Sequence, residues 1–171
     1  MYAPLCGAFH NKIEEQIERA AHLADLLPAG RLQYPCDVSG AWTVGELLGH
    51  LLDCMAGFCA TLYAIEPRLL AHFLRLTGLP VNRSVSPGEF RAQAEIYKIH
   101  IAEGFELLED IDLARNIPTM FAPAGVPLAT VLLGNLEHLI NHKRQLFEVL
   151  KAMGLNVATA DLYRIGDQSA R

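Results

Sequence analysis

The sequence predicts an all-α protein that folds as a single four-helix bundle. Apolar residues make up 51% of the 171-residue chain and charged residues 19%, as in a folded globular domain. Four long segments repeat apolar residues at intervals of three and four positions, which is the spacing of an amphipathic helix. No segment has the pattern of a strand, and a chain of this length fits one domain with its own core.

The first helix is predicted from about Phe9 to Leu27. Apolar residues recur on one of its faces and glutamates fill the other, while Pro28 and Gly30 follow as stop signals. The buried face is expected to consist of Ile13, Ile17, Ala20, Ala21, Ala24 and Leu27.

The second helix is predicted to begin after Thr43, whose hydroxyl group is a favourable N-cap. Glu46 follows three residues later, where its carboxylate completes a capping box. Pro67 is expected to kink this helix or to begin a new one that runs to Leu76. The broad apolar face is expected to carry Leu47, His50, Leu51, Cys54, Phe58, Leu62 and Ile65.

The third helix is predicted to begin after Ser86. Pro87 suits the first helical position, and Glu89 again completes a capping box with the residue that caps the helix. Its buried stripe is expected to consist of Phe90, Ala94, Tyr97, Ile101, Phe105 and Leu108.

The fourth helix is predicted from about Leu128 to Met153, with Gly154 as its C-terminal glycine. The bundle is therefore assigned to residues 1–155, and residues 156–171 form a C-terminal tail with little regular pattern. Two connections, at 79–85 and 110–127, are long enough to cross the bundle, so the order of the helices around it stays open.

Charge and cysteine content exclude several classes of protein. The net charge is −5 and no run of Lys and Arg forms a basic stripe, which argues against nucleic-acid binding. The four cysteines form no C-x-x-C pair and are expected to be reduced thiols. His50 and Asp53 interrupt the longest apolar run, so no membrane span is predicted. The N-terminus lacks a basic segment followed by an apolar run, so no signal peptide is predicted. The expected location is the cytoplasm.

Three of the seven histidines are candidate metal ligands. His138 and His142 project from one face of the fourth helix, one turn apart, at the margin of its apolar stripe and aimed at the bundle. Burying imidazoles there costs free energy unless they are hydrogen-bonded or bound to a metal. One metal ion would satisfy both rings at once. His50 lies among leucines of the second helix, and a third ligand from a neighbouring helix would close a three-histidine site. Histidines that are hydrogen-bonded in the core are the alternative.

The other histidines are not expected to join this site. His72 would lie about 33 Å from His50 along a straight helix, which is too far to share an ion. His10, His22 and His100 are expected on solvated faces or at the rim.

Several residues near the candidate ligands have two interpretations. Asp53 could orient a ligand or be an ordinary solvent-facing carboxylate. Cys54 could be an extra ligand or a small buried hydrophobe. Glu137 is expected to be a surface charge. Met120 and Phe121 could line the mouth of a pocket or fill the core.

Two other metal motifs do not match. A zinc protease needs His-Glu-x-x-His, and position 139 holds leucine in place of the glutamate base. A di-iron bundle needs repeated Glu-x-x-His pairs, whereas Glu137 and His138 are adjacent.

Three stretches of the chain resemble the DinB/YfiT-like superfamily. Residues 42–53, Trp-Thr-Val-Gly-Glu-Leu-Leu-Gly-His-Leu-Leu-Asp, are similar to the family's tryptophan-led helix opening, with a histidine eight residues after the tryptophan. Residues 137–146, Glu-His-Leu-Ile-Asn-His-Lys-Arg-Gln-Leu, are similar to its late His-x-x-x-His helix. Residues 126–130, Val-Pro-Leu-Ala-Thr, are similar to the loop-to-helix junction upstream of it. The resemblance extends over about residues 5–154.

This resemblance implies a four-helix bundle with unusual connectivity and frequent homodimers. It also implies a divalent metal ion, usually nickel or zinc, bound by His50, His138 and His142. The chain departs from the family at positions 139–141, where relatives often carry a further histidine or acidic residue. Lys-Arg at positions 143–144 replaces the common Arg-Gly.

Three functions are compatible with such a site. Three histidines leave a coordination position open, where an ion can polarise a carbonyl group, acidify bound water or activate a thiolate. The first hypothesis is a metal-dependent hydrolase or a thiol S-transferase acting on a small molecule, the transferase by analogy with some relatives. The alternatives are a non-enzymatic metal-binding or stress-response protein and a metal-free helical interaction domain.

Overall fold

The computed structural model describes residues 3–36, 42–66, 68–69, 71, 83–119 and 122–164. Its long helices are α1 (Pro4–Asp25), α2 (Val44–Tyr63), α3 (Pro87–Glu106) and α4 (Leu128–Ala152). The shorter elements are a 3-10 helix (Asp110–Ala114), the strands β1 (Asn116–Ile117) and β2 (Val126–Pro127), and α5 (Thr159–Leu162). The all-α prediction is confirmed. The two strands pair antiparallel but were not predicted, because two residues are too few to show an alternating pattern.

Both predicted capping boxes are present. At the start of α2 the carboxylate of Glu46 accepts a hydrogen bond of 2.8 Å from the backbone N–H of Thr43, whose hydroxyl caps the helix in return. Ser86 and Glu89 make the same reciprocal pair at the start of α3. Gly154 follows α4 with a φ of 85°, a left-handed conformation that glycine adopts without steric cost.

The N-terminus of α1 is capped from a distant part of the chain. The helix begins at Pro4, earlier than the predicted Phe9, and Ala3 at its N-cap offers no side-chain acceptor. The carboxylate of Asp110 instead accepts hydrogen bonds of 3.0 Å from the backbone N–H groups of Cys6 and Leu5. These donors have no partner within the helix, so the contact supports the first turn.

Replacing Asp110 with asparagine is expected to lower the melting temperature at neutral pH. The N–H of Cys6, followed by that of Leu5, holds the pKa of this carboxyl group below its usual range. A lowered folded-state pKa gives stability that is present above the unfolded-state pKa of about 3.9 and is lost as the pH falls through the folded-state value. The melting-temperature difference between wild type and variant should therefore be full above about pH 5 and should shrink below about pH 4.

Glu106→Gln provides the matched control, because this exposed residue at the end of α3 also loses one negative charge. Melting curves from pH 3 to pH 7 should show a pH-dependent deficit only for Asp110→Asn. A deficit that is equal at all pH values would contradict the proposed cap.

The helices do not follow each other around the bundle. α1 packs against α3 and α4, and α2 packs against the same two helices, so α1 and α2 lie across one diagonal and α3 and α4 across the other. The connections at 26–43 and 107–127 therefore cross the bundle, and the second of these crossings was anticipated. The connection that includes 79–85 was also long enough to cross, yet it joins the neighbours α2 and α3. This order makes α2 and α4 neighbours.

Glycines of α2 and α3 allow close approach of other segments. A Cβ atom on Gly49 would lie 1.7 Å from the carbonyl oxygen of Arg83. A Cβ atom on Gly104 of α3 would lie 2.7 Å from the Cβ atom of Leu62 on α2. The backbone just before α3 therefore rests directly on α2, beside the position of His50.

The chain after α4 is anchored by a buried lysine. Lys143 is 1% exposed, and its Nζ atom donates to the side chain of Gln16 and, at 2.7 Å, to the backbone oxygen of Leu162. Burial lowers the pKa of Lys143 to about 8. His22 and Asp161 add a contact of 2.7 Å between α1 and α5. The predicted tail thus contains a helical turn that packs on the bundle.

Candidate metal centre

The three candidate histidines lie together where α2 meets α4. The Nε2 atoms of His50 and His138 are 3.0 Å apart. The ring centroid of His142 is 4.4 Å from that of His50 and 4.6 Å from that of His138. One ring nitrogen from each residue lies within 4.8 Å of the other two. The diagonal arrangement of the helices produces this meeting, because it makes α2 and α4 neighbours.

The cluster lies in a surface groove rather than in the core. His138 is exposed, and His50 and His142 are half-buried. Leu139 and Leu146 fill the core on the same helix and are fully buried. The expectation that the histidines are aimed at the interior is thus corrected, since the margin of an apolar stripe lies at the rim of a bundle.

Two further side chains hold the histidine rings in place. The indole of Trp42 stacks on His142 with ring centroids 5.7 Å apart and meets the ring of His50 edge-on at 4.7 Å. Nδ1 of His142 is 3.0 Å from Oε1 of Gln145. Because an amide oxygen only accepts, Nδ1 carries the proton and the lone pair of Nε2 is left for a metal.

Electrostatics favour the neutral form of His138. The pKa of His138 lies below its usual value, first because its ring is partly withdrawn from water and second because His142 is close. A neutral imidazole is the form that coordinates a metal.

The nitrogens of His50 and His138 have the spacing of two ligands of one divalent ion. Two nitrogens that are each about 2.0–2.1 Å from one ion stand about 2.9–3.4 Å apart, depending on whether the bond angle is right or tetrahedral. The distance of 3.0 Å between His50 and His138 falls in this range. The same distance also suits an N–H···N hydrogen bond between these two atoms, which would not involve His142.

The fold of this bundle was compared with those of known proteins. A scan against protein families gives no match, and no curated protein matches the chain. Among solved structures, the chain is similar to a DinB-like protein, YjoA, from Bacillus subtilis, with a TM-score of 0.68 and 18% sequence identity. The alignment covers 92% of this chain and 99% of that one. This chain has the DinB-like fold. At this identity the similarity concerns the fold alone.

In this DinB-like bundle neither Asp53 nor Cys54 belongs to the group of possible metal ligands, which consists of the three histidines. Cys54 is 7% exposed, and its burial, followed by the charge of Asp53, raises its pKa to about 12. It is therefore a buried thiol, as the interpretation as a small hydrophobe had it. Asp53 is half-buried and lines a cavity beside the histidines.

Two cavities flank the histidines of the DinB-like bundle. The smaller, of about 150 Å³, is lined by His50, Asp53, Cys54, Gly57, Asn135 and His138. The larger has a volume of about 410 Å³ and includes Gln145 in its lining. Its other lining residues are Tyr34, Pro35, Cys36, Glu148, Val149 and Ala152. Asn135 and Gln145 were not singled out from the sequence as functional. Both lie three positions from a histidine on one row of α4, and this spacing was the signal that could have found them.

The remaining candidates lie away from this site or outside the described residues. Glu137 is exposed, as predicted. His10 packs edge-on against an aromatic ring of α3, His22 bonds to α5, and Nδ1 of His100 is 3.0 Å from a tyrosine hydroxyl of α2. The interpretations of His72, Met120 and Phe121 fall outside the described residues. Within the described part of the chain, no helix is both long and apolar enough to cross a membrane.

Proposed function

We propose that this DinB-like protein is a metal-dependent enzyme, either a hydrolase or a thiol-dependent transferase. It holds one divalent ion with His50, His138 and His142. The proposal depends on one observation, the convergence of three imidazole nitrogens beside a cavity. Nickel and zinc are the metals that the resemblance implies, and imidazole nitrogen suits both.

The ion would supply the chemistry, and the protein would orient the histidine rings that hold it. A divalent ion supplies Lewis-acid activation of a carbonyl group, water or thiol. Gln145 fixes the tautomer of His142, and Trp42 packs against the rings of both helices. The adjoining cavity leaves space for a small molecule next to the histidines.

A non-enzymatic metal-binding or stress-response protein is the alternative, since it would use the same ligands. The identity of the metal, the homodimer and the cytoplasmic location stay predictions from the resemblance and the composition. The assignment of residues 1–155 to the bundle domain also stays a prediction.

Replacing Gln145 with leucine is expected to lower metal affinity by about ten- to a hundredfold, the usual effect of losing the partner of a ligating histidine. The expected cause is a His142 ring that is no longer held in one tautomer and orientation. Titration with a competing chelator measures the affinity, and Gln33→Leu, in an exposed loop position, is the control. Equal affinities for both variants would argue that Gln145 has no role in metal binding.

Turnover assays test the enzymatic proposal. Metal-free protein is reconstituted with nickel or zinc and assayed with p-nitrophenyl acetate and with glutathione plus an aromatic chloride. Turnover should appear with the ion, disappear on chelation and be absent from His50→Ala. Full metal occupancy without turnover of either substrate would favour the non-enzymatic alternative, and failure to take up metal would favour the metal-free one.

A further inference from the structure

We propose that the smaller cavity binds a neutral ligand that carries an O–H or N–H group, with Asn135 accepting its hydrogen bond. The inference rests on the proposed function, because the cavity shares His50 and His138 with the ion site. A ligand there would lie beside the metal. The cavity volume of about 150 Å³ restricts the bound part of the ligand to a small group.

The orientation of the Asn135 amide follows from its hydrogen bonds. The hydroxyl group of Thr61 donates to the backbone oxygen of Gly57 at 2.7 Å, so its proton is already used. Thr61 is therefore the acceptor when Nδ2 of Asn135 approaches it at 3.0 Å. This relay uses one N–H of the NH₂ group on Thr61 and does not involve Oδ1, which is the acceptor atom of the Asn135 side chain and the atom we assign to the ligand.

The polar lining of the cavity selects a hydrogen-bond donor. Besides Asn135, the lining includes Asp53, whose carboxylate also accepts hydrogen bonds and repels anions. The thiol of Cys54 stays protonated because burial raises its pKa. A ligand that approaches the ion from this side is thus recognised by its O–H or N–H group.

Gly57 keeps the cavity open. It lies in the interior of α2, where glycine normally lowers stability relative to alanine. A Cβ atom at this position would meet nothing nearer than Nδ2 of Asn135, at 3.8 Å, which is ordinary contact. Alanine would therefore fit the fold, and it would occupy space in the cavity. The stability cost of this glycine is explained if the space is used for a ligand.

Two neutral probes test the acceptor role of Asn135. Imidazole and 1-methylimidazole both coordinate a metal through one ring nitrogen, but only imidazole has an N–H group. Their binding to cobalt(II)-loaded protein is followed by the absorption spectrum of the metal. Wild type should bind imidazole about tenfold more tightly, which corresponds to about 1.4 kcal/mol. Asn135→Leu should lose most of this preference, and Asn141→Leu, at an exposed position of α4, should keep it.

A pair of glycine variants tests the space. Gly57→Ala should weaken binding of both probes by about tenfold or more, because its methyl group enters the cavity. Gly134→Ala is the control, since this exposed glycine of α4 has nothing within 4 Å of an added Cβ atom. Equal affinities for the two probes in wild type, or unchanged binding by Gly57→Ala, would overturn the inference while leaving the metal site intact. Absence of a cobalt spectrum would instead overturn the proposed function, and the inference would fall with it.

Discussion

Replacing His142 with alanine is expected to lower the affinity for a divalent ion by at least about a hundredfold. A structural zinc site with four ligands binds with about 10–16 kcal/mol, so one ligand accounts for about 2.5–4 kcal/mol. Loss of this ring also removes the anchor of Gln145 and the stacking partner of Trp42. Elemental analysis after dialysis and a chelator competition give the occupancy and the affinity.

His22→Ala is the matched control for this prediction. His22 is also helical and half-exposed, but its contact is with Asp161 of α5. This variant should keep the metal content of the wild type. Full occupancy in His142→Ala, or equal losses in both variants, would contradict the assignment of His142 as a ligand.

Replacing Gly49 with alanine is expected to destabilise the fold by about 3 kcal/mol or more. The added Cβ atom would lie 1.7 Å from the carbonyl oxygen of Arg83 and 2.8 Å from its carbonyl carbon. The clash is with backbone, which cannot rotate away as a side chain can, so its cost lies at or above the usual range for overpacking. For a chain of this size the melting temperature should fall by about 6–12 °C.

Gly134→Ala serves as the control here too, because its added methyl group meets open space. It should raise stability by about 0.5–1 kcal/mol, the usual gain from replacing glycine with alanine in a helix. Thermal melts followed by circular dichroism measure both variants. A Gly49→Ala protein as stable as the wild type would show that α2 and the backbone at Arg83 do not approach this closely.

Local signals made the helices predictable. The features that depend on long-range contacts could not be predicted from the sequence. Thr43 and Ser86 each carry their capping partner three residues away, so both helix starts could be found from the sequence alone. The start of α1 depends on Asp110, more than a hundred residues away, and no local pattern contains that information. The diagonal order of the helices is likewise a property of packing between distant segments.

The residues of the candidate site were predictable, but their exposure to solvent was not. His138 and His142 share a helix face by their spacing alone, whereas the inclusion of His50 depended on the resemblance and on the guess that its helix is a neighbour. Periodicity gives the direction of a side chain but not its exposure, so a surface groove was mistaken for the interior. The contact of Trp42 with His142 was not predictable, because it joins the loop before α2 to the distant helix α4.

The central claim is that three imidazoles from two helices bind one metal ion. A crystal structure of protein loaded with nickel or zinc, with anomalous scattering recorded at the metal edge, tests it most directly. We expect one anomalous peak about 2.0–2.1 Å from Nε2 of His50, His138 and His142. A peak elsewhere, or crystals grown with excess metal in which His50 and His138 are joined only by a hydrogen bond, would contradict it.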